Sequence, residues 1–207
     1  MAMLAALAYI TMVVGRFPIS SVDFLKYDPK DVIIAIGGFV YGPLTALVIS
    51  FCVSLVEMVT VSTTGIIGAI MNIVSTVAFA CTSSFVYKKK RTAVGAVVGL
   101  TFGVILTTAL MLLWNYFITP IYMLQPREVI ASMLLPVFLP FNLLKCGLNM
   151  AITLLLYKPI VTAMRRAKLI DASSSQASKG RALGISVFSI ILLVTLVMIV
   201  LIIRKVI

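Results

Sequence analysis

Asn142, Lys145 and Asn149 fall three and four residues apart inside an apolar run, which puts a cation between two carboxamides on one helix face. An ammonium only donates hydrogen bonds, whereas each carboxamide both donates and accepts. Such a stripe suits a planar, carbonyl-rich small molecule. A charge carried into hydrocarbon costs about 2.5–3.5 kcal/mol on insertion scales, and Lys145 lies about 15 Å from either end of its run by helical rise. The competing reading is a lysine that snorkels to the interface, with the asparagines gluing helices together. Glu57 is the one acid inside an apolar stretch, close to its end, where a carboxylate facing interfacial water is the alternative. Asn115, between Trp114 and Tyr116, is either a ligand contact or a neighbour of an aromatic belt. Asn72 is a weaker candidate, and interhelical hydrogen bonding is its plainer role.

The elements that must hold these residues are membrane helices. The chain has 207 residues, 62% of them hydrophobic and only 11% charged, with a mean hydropathy of +1.19. Soluble domains run nearer 45–50% apolar and about 25% charged, so both a soluble domain and a disordered chain are excluded. The formal charge is +11 and there is no histidine, which removes every mechanism that needs an imidazole. Basic residues between apolar runs report membrane orientation, so the charge excess is not read as a nucleic-acid interface. Cys52, Cys81 and Cys146 each sit within an apolar run and read as small buried hydrophobes.

Crossing a bilayer core of about 30 Å takes about 20 apolar residues. Residues 1–15 form the first run; without a charged leading segment and cleavage site it reads as a span, not a removable leader. Residues 16–31 are polar. The next apolar stretch is broken by Gly42-Pro43 into a short piece, 32–41, and a longer helix, 43–59. Spans at 65–87 and 92–118 follow; the second carries Gly95, Gly99 and Gly103, spaced for close approach of a neighbouring helix. A polar connection at 119–134 leads to a sixth span at 135–157. Residues 169–182 read as a flexible linker, and 183–203 as a last apolar run long enough to span. The basic clusters at 88–91 and 158–181 are separated by two spans, lie on one side, and mark it as the cytoplasm. Whether residues 32–41 and 43–59 cross separately or as one kinked span decides where the N-terminus lies, and both options stand.

Several machineries are missing from the sequence. There is no phosphate-binding glycine loop with its lysine, no metal-ligand cluster and no nucleophile with a partner base. One intramembrane acid is thin for a proton or sodium relay. A helical bundle with one polar pocket remains, a binder without its own engine.

The run Phe24-Leu25-Lys26-Tyr27-Asp28-Pro29-Lys30-Asp31, the segment GGFVYGP at 37–43 and the pair Asn142-x-x-Lys145 resemble signatures of the riboflavin-specific substrate-binding (S) components of bacterial energy-coupling factor (ECF) transporters. The resemblance covers residues 1–168. It implies an all-α integral membrane protein, a six-helix bundle of the S-component type over 1–168, followed by the linker and an additional hydrophobic helix over 183–207. It also implies cytoplasmic ends for that core and an external 16–31 loop acting as a lid. Riboflavin, a transported ligand and not a cofactor, would sit beneath the loop. Asn115, Asn142 and Lys145 would meet the polar edge of the isoalloxazine, Glu57 would lie near its polar atoms, and Lys26, Tyr27 and Asp28 would shape the lid; Asn72 and Asn149 complete the candidate set.

The same resemblance implies partners: a transmembrane coupling (T) subunit with two ABC ATPases, onto which the S component docks before toppling in the bilayer to carry the vitamin inward. Docking would use Ala2 and Ala6, which share the A-x-x-x-A spacing of such first helices. The C-terminal helix has no role in this scheme and is expected to be dispensable for binding. An S component for another vitamin is the nearest alternative. A membrane enzyme acting on lipid or isoprenoid lacks a locatable reactive group, and a purely structural subunit leaves Lys145 unexplained.

Overall fold

A computed structural model describes residues 1–19, 25–62, 64–166 and 179–203. Nine α-helices are found among them: α1 (Ala2–Gly15), α2 (Lys30–Tyr41), α3 (Pro43–Thr60), α4 (Gly65–Lys90), α5 (Ala93–Phe117), α6 (Thr119–Met123), α7 (Arg127–Met133), α8 (Leu139–Arg166) and α9 (Lys179–Ile203). Five helical segments are long and apolar enough to cross a membrane: Pro43–Thr60, Gly65–Lys89, Ala93–Phe117, Arg127–Ala163 and Gly184–Ile203. α1 is a shorter apolar helix of 14 residues, and α2, at about 18 Å by helical rise, is shorter still.

The short α2 forms the centre of the bundle. Every residue from Lys30 to Phe39 is buried, because α1, α3, α4 and α8 all pack on it. The glycine–proline break resolves as a tight reversal. Gly42 has φ +101° and its N–H caps α2 on the Gly38 carbonyl, while Pro43 opens α3; this left-handed backbone suits glycine, and proline at a first helical turn loses no hydrogen bond. The two pieces run antiparallel: Lys30, at the start of α2, pairs with Glu57 near the end of α3, and Gly38 lies against Ala46. They are therefore separate segments, and the first residue of the chain lies at the same end of the bundle as the basic clusters. The starts of those clusters, Lys88 and Lys158, also share one end, since the hydroxyls of the residues preceding them, Tyr87 and Tyr157, are hydrogen-bonded.

α4 and α5 form the most intimate pair. A Cβ at Gly99 would lie 2.6 Å from the Ser83 carbonyl oxygen, and one at Gly103 2.8 Å from that of Phe79. The glycine spacing thus serves helix contact. α9 runs antiparallel along α8: Ile185 packs on the apolar cluster containing Tyr157 and Leu154, Leu196 lies over Gly147, and Val200 joins Phe138 and Phe141. It extends the bundle as a further membrane-length helix.

Four sequence expectations change. The polar 16–31 stretch is not a purely solvent-facing loop: Phe17–Pro18 pairs antiparallel with Lys26–Tyr27 as strands β1 and β2, and its last residues enter the core. The 119–134 connection is largely helical, since Pro120 sits in the first turn of α6 and Pro126 caps α7, both places where proline's fixed φ favours a helix start. The sixth span is longer than 135–157; α7 continues through a π-helical turn at Leu134–Phe138 into α8. Cys52 is exposed on the outer surface of α3, whereas Cys146 is buried as expected. Most of the 169–182 linker, and Arg204 and Lys205, lie outside the described residues.

Candidate functional site

At the end of the bundle opposite the basic clusters, α3, α4, α5 and α8 converge beneath the α1–α2 loop around an open-mouthed cavity, which Arg16 borders just after the end of α1. α8 contributes Asn142 and Lys145 from one face, α5 contributes Asn115 from its last turn, and α4 contributes Asn72. Glu57 comes from α3, while Lys26 and Asp28 come from the loop. Apolar walls are supplied by Leu25, Met71, Met111 and Phe141. A largely preformed pocket of apolar walls with a few placed polar groups is the general form of a small-molecule site.

The carboxamides are held by their own helices. Asn142 Nδ2 donates to the Phe138 carbonyl at 2.7 Å. Asn115 Nδ2 donates to the Met111 carbonyl at 2.6 Å, and its Oδ1 accepts from Thr119 Oγ1 at 2.8 Å. One donor of each amide is used in orienting it, and each amide has a second donor and further acceptor capacity for a ligand. Lys145, 7% exposed, neither snorkels nor faces lipid. Its ammonium lies 3.8 Å from Asp31 Oδ2.

Beside the cavity runs a charge network that the sequence pattern does not announce. Glu57, 1% exposed, accepts from both Arg16 and Lys30. Lys30 has no exposed surface at all; its ammonium also lies 2.8 Å from Asp28 Oδ2, which Arg16 approaches at 3.5 Å. Asp31 accepts from Thr76 Oγ1 at 2.7 Å and from Asn149 Nδ2 at 3.3 Å. Three acids and three bases thus meet in one enclosed region, each with an opposite partner, as buried charges must be. Glu57 is not the only buried acid: Asp28 and Asp31 are each 2% exposed. In the loop, burial raises the Asp28 carboxyl, but Lys30, Lys145 and Arg16 outweigh it and hold it below the ordinary carboxylate range. Burial, followed by Asp31 and Asp28, pushes the Tyr27 phenol well above its usual value.

Seven of the nine sequence-selected pocket residues line this cavity, and two do not. Asn149, one turn beyond Lys145, spends its Nδ2 on Asp31 and on the Asp28 carbonyl at 3.4 Å; it ties the loop to α8. Tyr27 packs its ring on Phe17, with centroids 4.9 Å apart, within the apolar underside of the loop. Ala2 and Ala6 are exposed on α1, far along the chain from the site. The residues that sequence reasoning missed are Arg16, Lys30, Asp31 and Thr76. The available signal for the first three was their charge at the edges of apolar runs. Among the described residues, no cluster of three or more His, Cys, Asp or Glu residues is arranged to hold a metal ion.

The chain is 29% identical over 153 residues to "Riboflavin transporter FmnP" of Bacillus subtilis (strain 168), an alignment spanning 69% of this chain and 80% of that protein. A solved structure described as "Structure and mechanism of the S component of a bacterial ECF transporter" superposes with a TM-score of 0.67 at 25% identity. That match covers 79% of this chain and 94% of the other. The family model for "ECF transporter, substrate-specific component" matches residues 1–157, the segment that builds the cavity and its charge network, and the chain therefore belongs to the substrate-specific components of ECF transporters.

Proposed function

We propose that this chain captures riboflavin outside the cell and delivers it inward as the binding subunit of an ECF-type importer. The observation that carries the reading is the convergence of Lys145, Asn142 and Asn115 on one cavity with apolar walls. Flavin is an amphipathic disc. Its dimethylbenzene end favours an apolar wall and its dione edge needs donors and acceptors, and this lining supplies both. The likeness to the Bacillus riboflavin transporter supports the same ligand. With the Lys88 and Lys158 end in the cytoplasm, as the positive-inside rule requires, the cavity faces outward, and the α1–α2 loop is its lid. Glu57, Lys26 and Asp28 border the ligand, and Asn72 marks the far wall. Tyr27 and Asn149 shape the lid and its anchorage.

Energy would come from a transmembrane T subunit carrying two ABC ATPases, met by α1 through Ala2 and Ala6. Residues 1–168 would be the working bundle and the C-terminal helix a dispensable addition. The test is the visible absorption spectrum of the purified full-length protein, followed by riboflavin titration with fluorescence quenching. The expected result is flavin absorption after expression and saturable quenching at one riboflavin per chain. A colourless protein that leaves flavin fluorescence unchanged would overturn the assignment and leave the family's transport role with another vitamin.

A further inference from the structure

We infer that Asp31 is a positioning residue for Lys145, a carboxylate that aims the ammonium into the cavity without consuming its donors. The inference rests on the riboflavin-binding reading above. A lysine side chain has a flexible four-carbon stem and three donors, so something must select the orientation in which it meets a ligand. Asp31 is itself fixed from two helices. Thr76 Oγ1 on α4 donates to Oδ1 at 2.7 Å, and Asn149 Nδ2 on α8 donates to Oδ2 at 3.3 Å.

The same Oδ2 stands 3.8 Å from Lys145 Nζ. That is close enough for charge attraction and longer than the 2.7–3.2 Å of a hydrogen bond, so the ammonium keeps its donors. Neither of the other two acids in the network is as free to serve: Glu57 holds Arg16 and Lys30, and Asp28 holds Lys30 at 2.8 Å with Arg16 at 3.5 Å. Asp31 also joins α2, α4 and α8, so the alternative to be tested is a helix staple with no part in ligand affinity.

A double-mutant cycle separates the two, because residues acting through one another show non-additive effects. Riboflavin titrations of full-length protein in detergent would compare wild type, Asp31→Asn, Lys145→Met and the pair, with thermal melting recorded for each. Asp31→Asn keeps the shape and an acceptor for Thr76 but removes the charge. The expected result is about a tenfold weaker affinity, the scale of one charge-assisted hydrogen bond. In the double variant the affinity is that of Lys145→Met alone, since the carboxylate has nothing left to aim. Losses that multiply in the double variant would overturn the positioning role, as would an Asp31→Asn protein that binds as wild type.

Should Asp31→Asn fail to fold, Thr76→Val loosens the same carboxylate. It is expected to cost a few-fold in affinity in the wild-type background and nothing in Lys145→Met, and equal losses in both backgrounds would overturn the inference. Unchanged affinity in Lys145→Met itself would remove Lys145 from the site, a failure of the riboflavin reading that is distinct from these.

Discussion

Lys145 concentrates what the site asks of one residue. Its burial is sustained by Asp31 at 3.8 Å, and its position one turn beyond Asn142 lets both face the same cavity. Hydrogen bonds to charged groups contribute about 1.5–3 kcal/mol, and 1.4 kcal/mol is a factor of ten in affinity. Lys145→Met, which keeps an unbranched side chain one atom shorter, is therefore expected to weaken riboflavin binding by roughly 10- to 100-fold. Titration at a temperature well below melting checks this, because the substitution also leaves Asp31 without its cation. An unchanged dissociation constant would show that the ammonium does not meet the ligand. The three-and-four spacing of Asn142, Lys145 and Asn149 was legible because helical periodicity is a local property. What it could not tell was height along the helix. One further turn takes Asn149 out of the cavity and onto Asp31, a partner 118 positions away that no local pattern records.

The α1–α2 segment shows the same limit at the level of an element. Polar residues between apolar runs read as a loop in water, yet Lys30 is wholly buried and stabilised only by acids of its own segment and of α3. Breaking a buried ion pair by removing one member costs about 3–5 kcal/mol, because the remaining charge is left uncompensated. Lys30→Met is expected to lower stability by about that amount, since Asp28 and Glu57 both lose their shared cation. Arg16→Ala should cost far less: its side chain is 19% exposed and Glu57 keeps Lys30. Melting curves of the two variants in one detergent give the comparison, and equal destabilisation would mean that the two cations are not ranked by burial. Gly42-Pro43 and the pair Gly99 and Gly103, by contrast, were readable before any fold was known. Each acts through its immediate backbone, one by a left-handed turn and the other by permitting α5 to touch α4.

At the scale of the whole molecule, the proposed docking on a coupling subunit calls for a surface that the rest of the chain leaves free. Among the described residues, α9 packs on α8 with a lesser contact to α5, whereas α1 packs chiefly on α2 and α3. The added helix thus leaves the outer face of α1 uncovered, and that face carries Ala2 and Ala6 with Leu4, Ala8 and Met12 turned inward. Without a hydrophobic drive between helices in lipid, association depends on close backbone approach, which small residues permit. Replacing both alanines with tryptophan would hold a partner helix several ångströms away without disturbing the cavity at the other end of α1. Ala2→Trp combined with Ala6→Trp is therefore expected to abolish co-purification with the T subunit and its ATPases while riboflavin affinity stays within about twofold of wild type, well inside the tenfold that 1.4 kcal/mol represents. A variant that still assembles would move the docking surface away from α1. One that loses riboflavin as well would show that α1 had been displaced from α2, since Leu4 and Ala8 belong to the same buried cluster as Ile33 and Ile34.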